Sequence, residues 1–134
     1  MGCPWFYPRE RLGSAESPLP LGDVWAGECR APGHQGDVPD RAALVRYCNL
    51  GYARPACPRM PAGGADAVRW AVSRHQGETI GLCCVLERDH LPFERAELEY
   101  DTAAGRFTVP HPNRNVAQQA RAYLESYLLR KQRS

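Results

Sequence analysis

The stretch Asp66–Glu87, DAVRWAVSRHQGETIGLCCVLE, decides the fold. Val68, Trp70 and Val72 alternate with small or polar residues, which is the period of a strand with one buried face. His75-Gln-Gly-Glu78 supplies a turn, and Thr79 to Glu87 reads as a second strand, so the two are expected to pair antiparallel. Toward the C-terminus, Arg88 to Phe93 reads as a loop. Ala96, Leu98 and Tyr100, with Glu97 and Glu99 opposite, predict a half-exposed third strand. Asp101 to Gly105 turns the chain again, and Arg106 to Val109 makes a fourth strand, completing a meander.

Pro110 and Pro112 then stop the sheet, and Asn113 or Asn115 caps a helix running to about Lys131. Val116, Ala120, Tyr123, Leu124, Tyr127 and Leu128 recur at helical spacing, which predicts one apolar stripe covering a face of the sheet. Arg130, Lys131 and Arg133 gather at the helix C-terminus, where cations complement the macrodipole.

Residues 1–65 read differently. Eighteen of the 24 Gly and Pro residues lie there, so this half is expected to be poor in regular structure and rich in fixed turns. One helix stands out: Asp40 caps it, Leu44, Val45 and Cys48 share a side, and Gly51 ends it. No repeat, low-complexity tract or long linker separates the halves. The expectation is a single α+β domain over 1–134, with 1–65 a loop-rich metal-binding half and 66–134 a four-stranded antiparallel meander plus a C-terminal helix.

Composition narrows the function classes. With 134 residues, 43% hydrophobic and three Trp, the chain has the means to close a core. Its formal charge of +2 is too small for a dedicated nucleic-acid binder, and the short basic cluster at the C-terminus has no interleaved aromatics. No apolar run approaches the roughly 18 residues of a membrane helix. Met1 to Pro8 lacks a basic region followed by an apolar one, and Phe6 stands where N-myristoylation wants Ser or Thr. The resulting expectation is a cytoplasmic, bacterial-type chain in a reducing compartment, where cysteines serve as thiols or metal ligands rather than disulfides.

Cysteine placement is therefore the main chemical signal. Cys3, Cys29, Cys48 and Cys57 all lie in the loop-rich half, with 25, 18 and 8 residues between them. A segment that buries little apolar area commonly folds around a ligand whose binding supplies the missing free energy. Four thiolates suffice for a tetrahedral zinc site or a cubane cluster. Structural zinc usually enters on C-x2-C knuckles, and none exists here, whereas thiols arriving singly suit a larger centre whose irons each need one ligand. Cys3-Pro4 and Cys57-Pro58 also echo the Cys-Pro of bacterial ferredoxins. Trp5, Phe6, Tyr7, Trp25, Tyr47 and Tyr52 are available to exclude water, and Arg30, Arg54 and Arg59 to offset cluster charge.

The expected function is thus a small iron–sulfur protein, 4Fe–4S, with Cys3, Cys29, Cys48 and Cys57 as ligands. Its cluster is either structural or a one-electron site served by a protein redox partner. A zinc-stabilised, non-catalytic interaction module on the same thiols is the second expectation, and a metal-free binding protein the third.

Other residues carry less. Cys83 and Cys84 are adjacent on a strand, so they point to opposite faces and cannot converge on one ion. His90, beside Asp89 and near Glu87 and Glu94, resembles a general base but has no nucleophile signature to serve. His34, His75 and His111 sit in turn-like contexts, as replacement ligands only. Gly63-Gly64 opens no phosphate loop. No independent catalytic activity is expected.

The runs Cys48-Asn-Leu-Gly-Tyr-Ala-Arg-Pro-Ala-Cys57 and Leu86-Glu-Arg-Asp-His-Leu-Pro92, with the tyrosine-bearing terminal helix, resemble small uncharacterised bacterial proteins carrying four dispersed cysteines. The similarity runs along most of the chain. It implies that this cysteine set is a repeated design, and it transfers no catalytic residue.

Overall fold

In chain order the elements are β1 (Phe6–Gly13), β2 (Val24–Cys29), β3 (Ala67–Gln76), β4 (Thr79–Arg88), β5 (Leu91–Asp101), β6 (Arg106–Phe107) and α1 (Arg114–Arg133). The computed structural model describes residues 3–13, 19–40, 43–44, 48–49, 65–89 and 91–133. The four-stranded sheet has the order β3-β4-β5-β6, every pair antiparallel, so the α+β meander with a C-terminal helix is what the alternation in 66–87 dictates. Cross-strand register puts Val68, Trp70 and Val72 opposite Leu86, Cys84 and Leu82, all on one face. Gly77, at φ 58°, takes the left-handed turn conformation between β3 and β4 that a side chain would strain.

Three boundaries differ from expectation. The predicted loop Arg88–Phe93 is mostly strand, because β5 begins at Leu91 and carries Pro92. Pro92 stands opposite Glu87 and Glu94 opposite Leu86, so Phe93 is the extra residue of a β-bulge, a place where a proline without a donor does no harm to the ladder. Asp89 (φ 51°) makes the turn, and its N–H donates to Asp66 Oδ2 at 3.1 Å. The predicted fourth strand Arg106–Val109 shortens to two residues. Thr108 N–H still donates to the Glu99 carbonyl at 2.9 Å, and the chain then leaves toward Pro110.

The third difference is the N-terminal half, where β1 and β2 form their own antiparallel two-stranded sheet. Bulges between Pro8 and Glu10 and between Arg11 and Gly13 break the period-two pattern, which is why no alternation announces the strands. Gly27 is required here: a Cβ on it would run into the Tyr7 carbonyl across the ladder. The predicted helix from Asp40 is described only in part. Asp40 Oδ1 accepts from Ala43 N–H at 2.8 Å and its carbonyl from Leu44 N–H at 2.9 Å, as an N-cap should, while Val45 and Gly51 lie outside the described residues.

Helix α1 starts where the sequence places it. Asn113 Oδ1 accepts from Asn115 and Val116 N–H at 2.9 and 3.2 Å. Ala120 and Leu124 are buried against the sheet with Ile80, Leu82, Leu98 and Phe107, flanked by Tyr123, Tyr127 and Leu128, and Val116 is buried with Val68, Cys84 and Leu86. A second stripe, Gln119, Ala122 and Ser126, is equally buried and faces the hairpin. There Ala122 packs with Phe6, Leu21, Trp25 and Leu44, and Trp25 Nε1 donates to Ser126 Oγ at 3.2 Å. Helix α1 is therefore wedged between the two sheets, and Trp70, which packs on all three core clusters, sits at the junction.

A part-buried ion pair stands on the hairpin side. Arg11 Nε donates to Asp23 Oδ2 at 2.7 Å, and Asp23 is 4% exposed. Burial works to raise the Asp23 pKa, but hydrogen bonds from Arg11 and Ser126 and the charges of Arg11 and Arg130 outweigh it and hold the carboxyl below its usual value. A depressed folded-state pKa means that Asp23 favours folding above the unfolded value of about 3.9 and that this contribution disappears as pH falls through the lower folded value. Urea midpoints measured from neutral to acid pH are accordingly expected to drop in the acid limb for the wild type. Asp23→Asn should be less stable at neutral pH and show a shallower acid limb.

Candidate functional site

Of the four N-terminal thiols, Cys3, Cys29 and Cys48 fall within the described residues, and Cys57 lies outside them. Cys3 precedes β1 in a turn: its carbonyl accepts from Phe6 N–H at 3.2 Å and from Gln119 Nε2 at 2.7 Å. Cys29 ends β2 directly across the ladder from Phe6. Its N–H donates to the Asp37 carbonyl at 2.7 Å and its carbonyl accepts from Gly36 N–H at 2.9 Å, so the turn at 31–37 folds back onto it. Cys48 adjoins Asn49, whose side chain acts as a substitute strand for β2. Trp25 N–H donates to Asn49 Oδ1 at 2.9 Å, and Asn49 Nδ2 donates to the Trp25 and Leu44 carbonyls, each at 2.9 Å.

Two chain segments thus bring thiols to the small core of Phe6, Leu21, Trp25, Leu44 and Ala122. Cys3 and Cys48, both half-buried, pack against that cluster, and buried Cys29 stands one cross-strand pair from Phe6. Among the described residues no three His, Cys, Asp or Glu side chains gather closely enough to hold a metal ion.

The surrounding groups are partly committed elsewhere. Phe6 and Trp25 form the core itself. The Arg30 guanidinium lies 3.6 Å from the Tyr7 ring centroid and 3.3 Å from Glu28, which also pairs with Arg9. Hydrogen bonding from Arg9 first, and from Arg30 next, outweighs burial and holds the Glu28 pKa down. Tyr47, Tyr52, Arg54 and Arg59 lie outside the described residues.

Cys83 and Cys84 point to opposite faces, as their adjacency demands. Cys84 is 1% exposed in the core, and burial pushes its thiol up to about 12, so it is chemically inert at neutral pH. Cys83 lies on the uncovered sheet face between Ala71 and Glu97, within hydrogen-bond reach of Arg95. Iodoacetamide applied to the native protein is expected to label Cys83 and to spare Cys84 until urea unfolds the chain, which peptide mass spectrometry would read out.

His90 lies outside the described residues. His34 contacts Asp37 at 3.2 Å and His75 contacts Tyr127 at 2.8 Å. His111 Nδ1 accepts from Asn113 N–H at 3.0 Å, and burial holds its pKa below the usual imidazole value. Gln119 and Asn49, which position Cys3 and Cys48, are invisible to a search for ligand types; their only signal is a polar residue at an otherwise core-like helical position or beside a cysteine. No helix among the described residues is long and apolar enough to cross a membrane. The fold and site define an α+β protein whose helix is held between a meander and a thiol-bearing hairpin, and comparison finds no matching protein-family model, curated protein or solved structure.

Proposed function

We propose that this chain is a small iron–sulfur protein whose N-terminal half is organised by a cluster, 4Fe–4S, ligated by Cys3, Cys29, Cys48 and Cys57. The observation that carries the reading is the delivery of Cys3 and Cys48, from distant parts of the chain, to one five-residue core, with Cys29 one strand pair away. So small a core gains much from a bound centre, because ligand binding adds directly to folding free energy. Thiols that arrive singly from separate turns favour a cluster, whose irons take one ligand each, over zinc on paired knuckles. The cluster's role is structural, or the exchange of one electron with a protein partner.

Anaerobic purification with metal and sulfide analysis and a visible spectrum tests this. A brown protein with iron, sulfide and thiolate-to-iron charge-transfer absorbance supports it, and Cys48→Ser should lose that colour while Cys84→Ser keeps it. A colourless protein with stoichiometric zinc replaces it with the zinc-stabilised interaction module. If the chain carries neither metal and unfolds cooperatively in chelator, both are overturned and a metal-free binding protein remains.

A further inference from the structure

We propose that the cleft between Trp5 and Phe93 binds the alkylammonium group of a small organic cation. The cleft, about 190 Å³, is walled by Pro4, Trp5, Leu86, Phe93 and Val116, with Glu94 as its charged group. The bulge at Phe93 turns its ring out of the regular strand alternation and leaves it 52% exposed beside the cleft. Across from it the Trp5 indole lines the opposite wall, its N–H buried without a hydrogen-bond partner.

The charge of the cleft is one-sided. Glu94 lies opposite Leu86 on the helix-facing side of β5, and no Arg or Lys among the described residues forms an ion pair with it. The nearby imidazole, His111, has its pKa lowered by burial, which outweighs the opposing pull of the Glu94 charge. Helix α1 begins at the same place, but the amides of its second, third and fourth residues are already bonded. Asn115 and Val116 N–H donate to Asn113 Oδ1, Ala117 N–H to the Asn113 carbonyl and Asn113 N–H to His111. What remains of the helix end is a partial positive charge of about half a unit, set against a full carboxylate and two aromatic rings.

Two aromatic walls and a carboxylate around an apolar cleft are the features that select a cation with an apolar shell. The volume lies below the roughly 300 Å³ at which drug-sized sites begin, so the cleft takes a head group rather than a whole metabolite. A free choline-like molecule and a methylated lysine side chain present that same group.

The test is a titration of the full-length protein at constant ionic strength, following the Trp5 indole N–H and Phe93 ring resonances by NMR. The probes are tetramethylammonium, choline and choline's neutral carbon isostere. Saturable binding of the cations, with the isostere weaker by about tenfold or more, is the expected result, as a carboxylate plus a cation–π contact supplies at least about 1.4 kcal/mol of discrimination. Glu94→Gln and Phe93→Ala, both at exposed positions, should each weaken choline by a similar factor. Comparing choline with a trimethyl-lysine peptide then identifies the source of the group. Equal binding of the isostere, an unchanged affinity in Glu94→Gln, or no saturable shift with any cation would overturn the proposal, whatever metal the protein carries.

Discussion

Gln119→Leu is expected to destabilise the protein by about 2–5 kcal/mol, since a buried carbonyl and a part-buried one lose their donor and each orphaned group costs about 1–3 kcal/mol. Gln119 is fully buried. Its Nε2 donates to the Cys3 carbonyl at 2.7 Å and the Phe6 carbonyl at 2.8 Å, and its Oε1 accepts from Trp70 Nε1 at 3.5 Å. Leucine fills most of the same volume, so the loss isolates the hydrogen bonds rather than opening a cavity. The comparison is Gln118→Leu, which removes one part-buried bond to the Pro8 carbonyl and should cost about 1 kcal/mol. Urea unfolding at neutral pH measures both. A Gln119→Leu variant no less stable than Gln118→Leu would mean that the N-terminal segment does not depend on the helix in this way.

The second large effect falls on Asn49. Asn49→Leu removes a donor and an acceptor that satisfy both backbone groups of Trp25 and the Leu44 carbonyl, all buried, with an expected loss of about 2–4 kcal/mol. The backbone that Asn49 anchors to β2 also carries Cys48, so on the iron–sulfur reading the same change should reduce bound iron. Leu128→Ala, on the far side of α1, serves as the control: it lowers stability through packing while leaving the metal content per folded molecule unchanged. Iron retained at full stoichiometry in folded Asn49→Leu would separate Asn49 from the thiol site.

How much the residues announce depends on whether their period survives folding. Val68, Trp70 and Val72, and then Ala96, Leu98 and Tyr100, keep strict alternation, and the helix from Asn113 keeps its 3.6-residue stripe; these elements are found where the pattern puts them. The hairpin of β1 and β2 has two bulges and a proline in its strands, so no periodic signal marks it. Phe93 reads as loop because a proline precedes it, although a bulge admits that proline to the strand.

The candidate site is legible to a lesser degree. Cysteine count and spacing single out Cys3, Cys29, Cys48 and Cys57, and adjacency alone places Cys83 and Cys84 on opposite faces. The cleft beside Phe93 and Glu94 has no such signal, because Trp5, Leu86 and Val116 come from three distant parts of the chain.

By itself the sequence determined the meander and its covering helix, because those follow from local periodicity and from turn and cap residues that act over a few positions. Tertiary structure alone decided that α1 is buried on two sides, that Gln119 and Asn49 hold the cysteine-bearing segments, and that an anionic aromatic cleft opens at the start of the helix. Each of these rests on hydrogen bonds or packing between residues far apart in the chain, and no local pattern encodes which distant carbonyl or ring a polar side chain will meet.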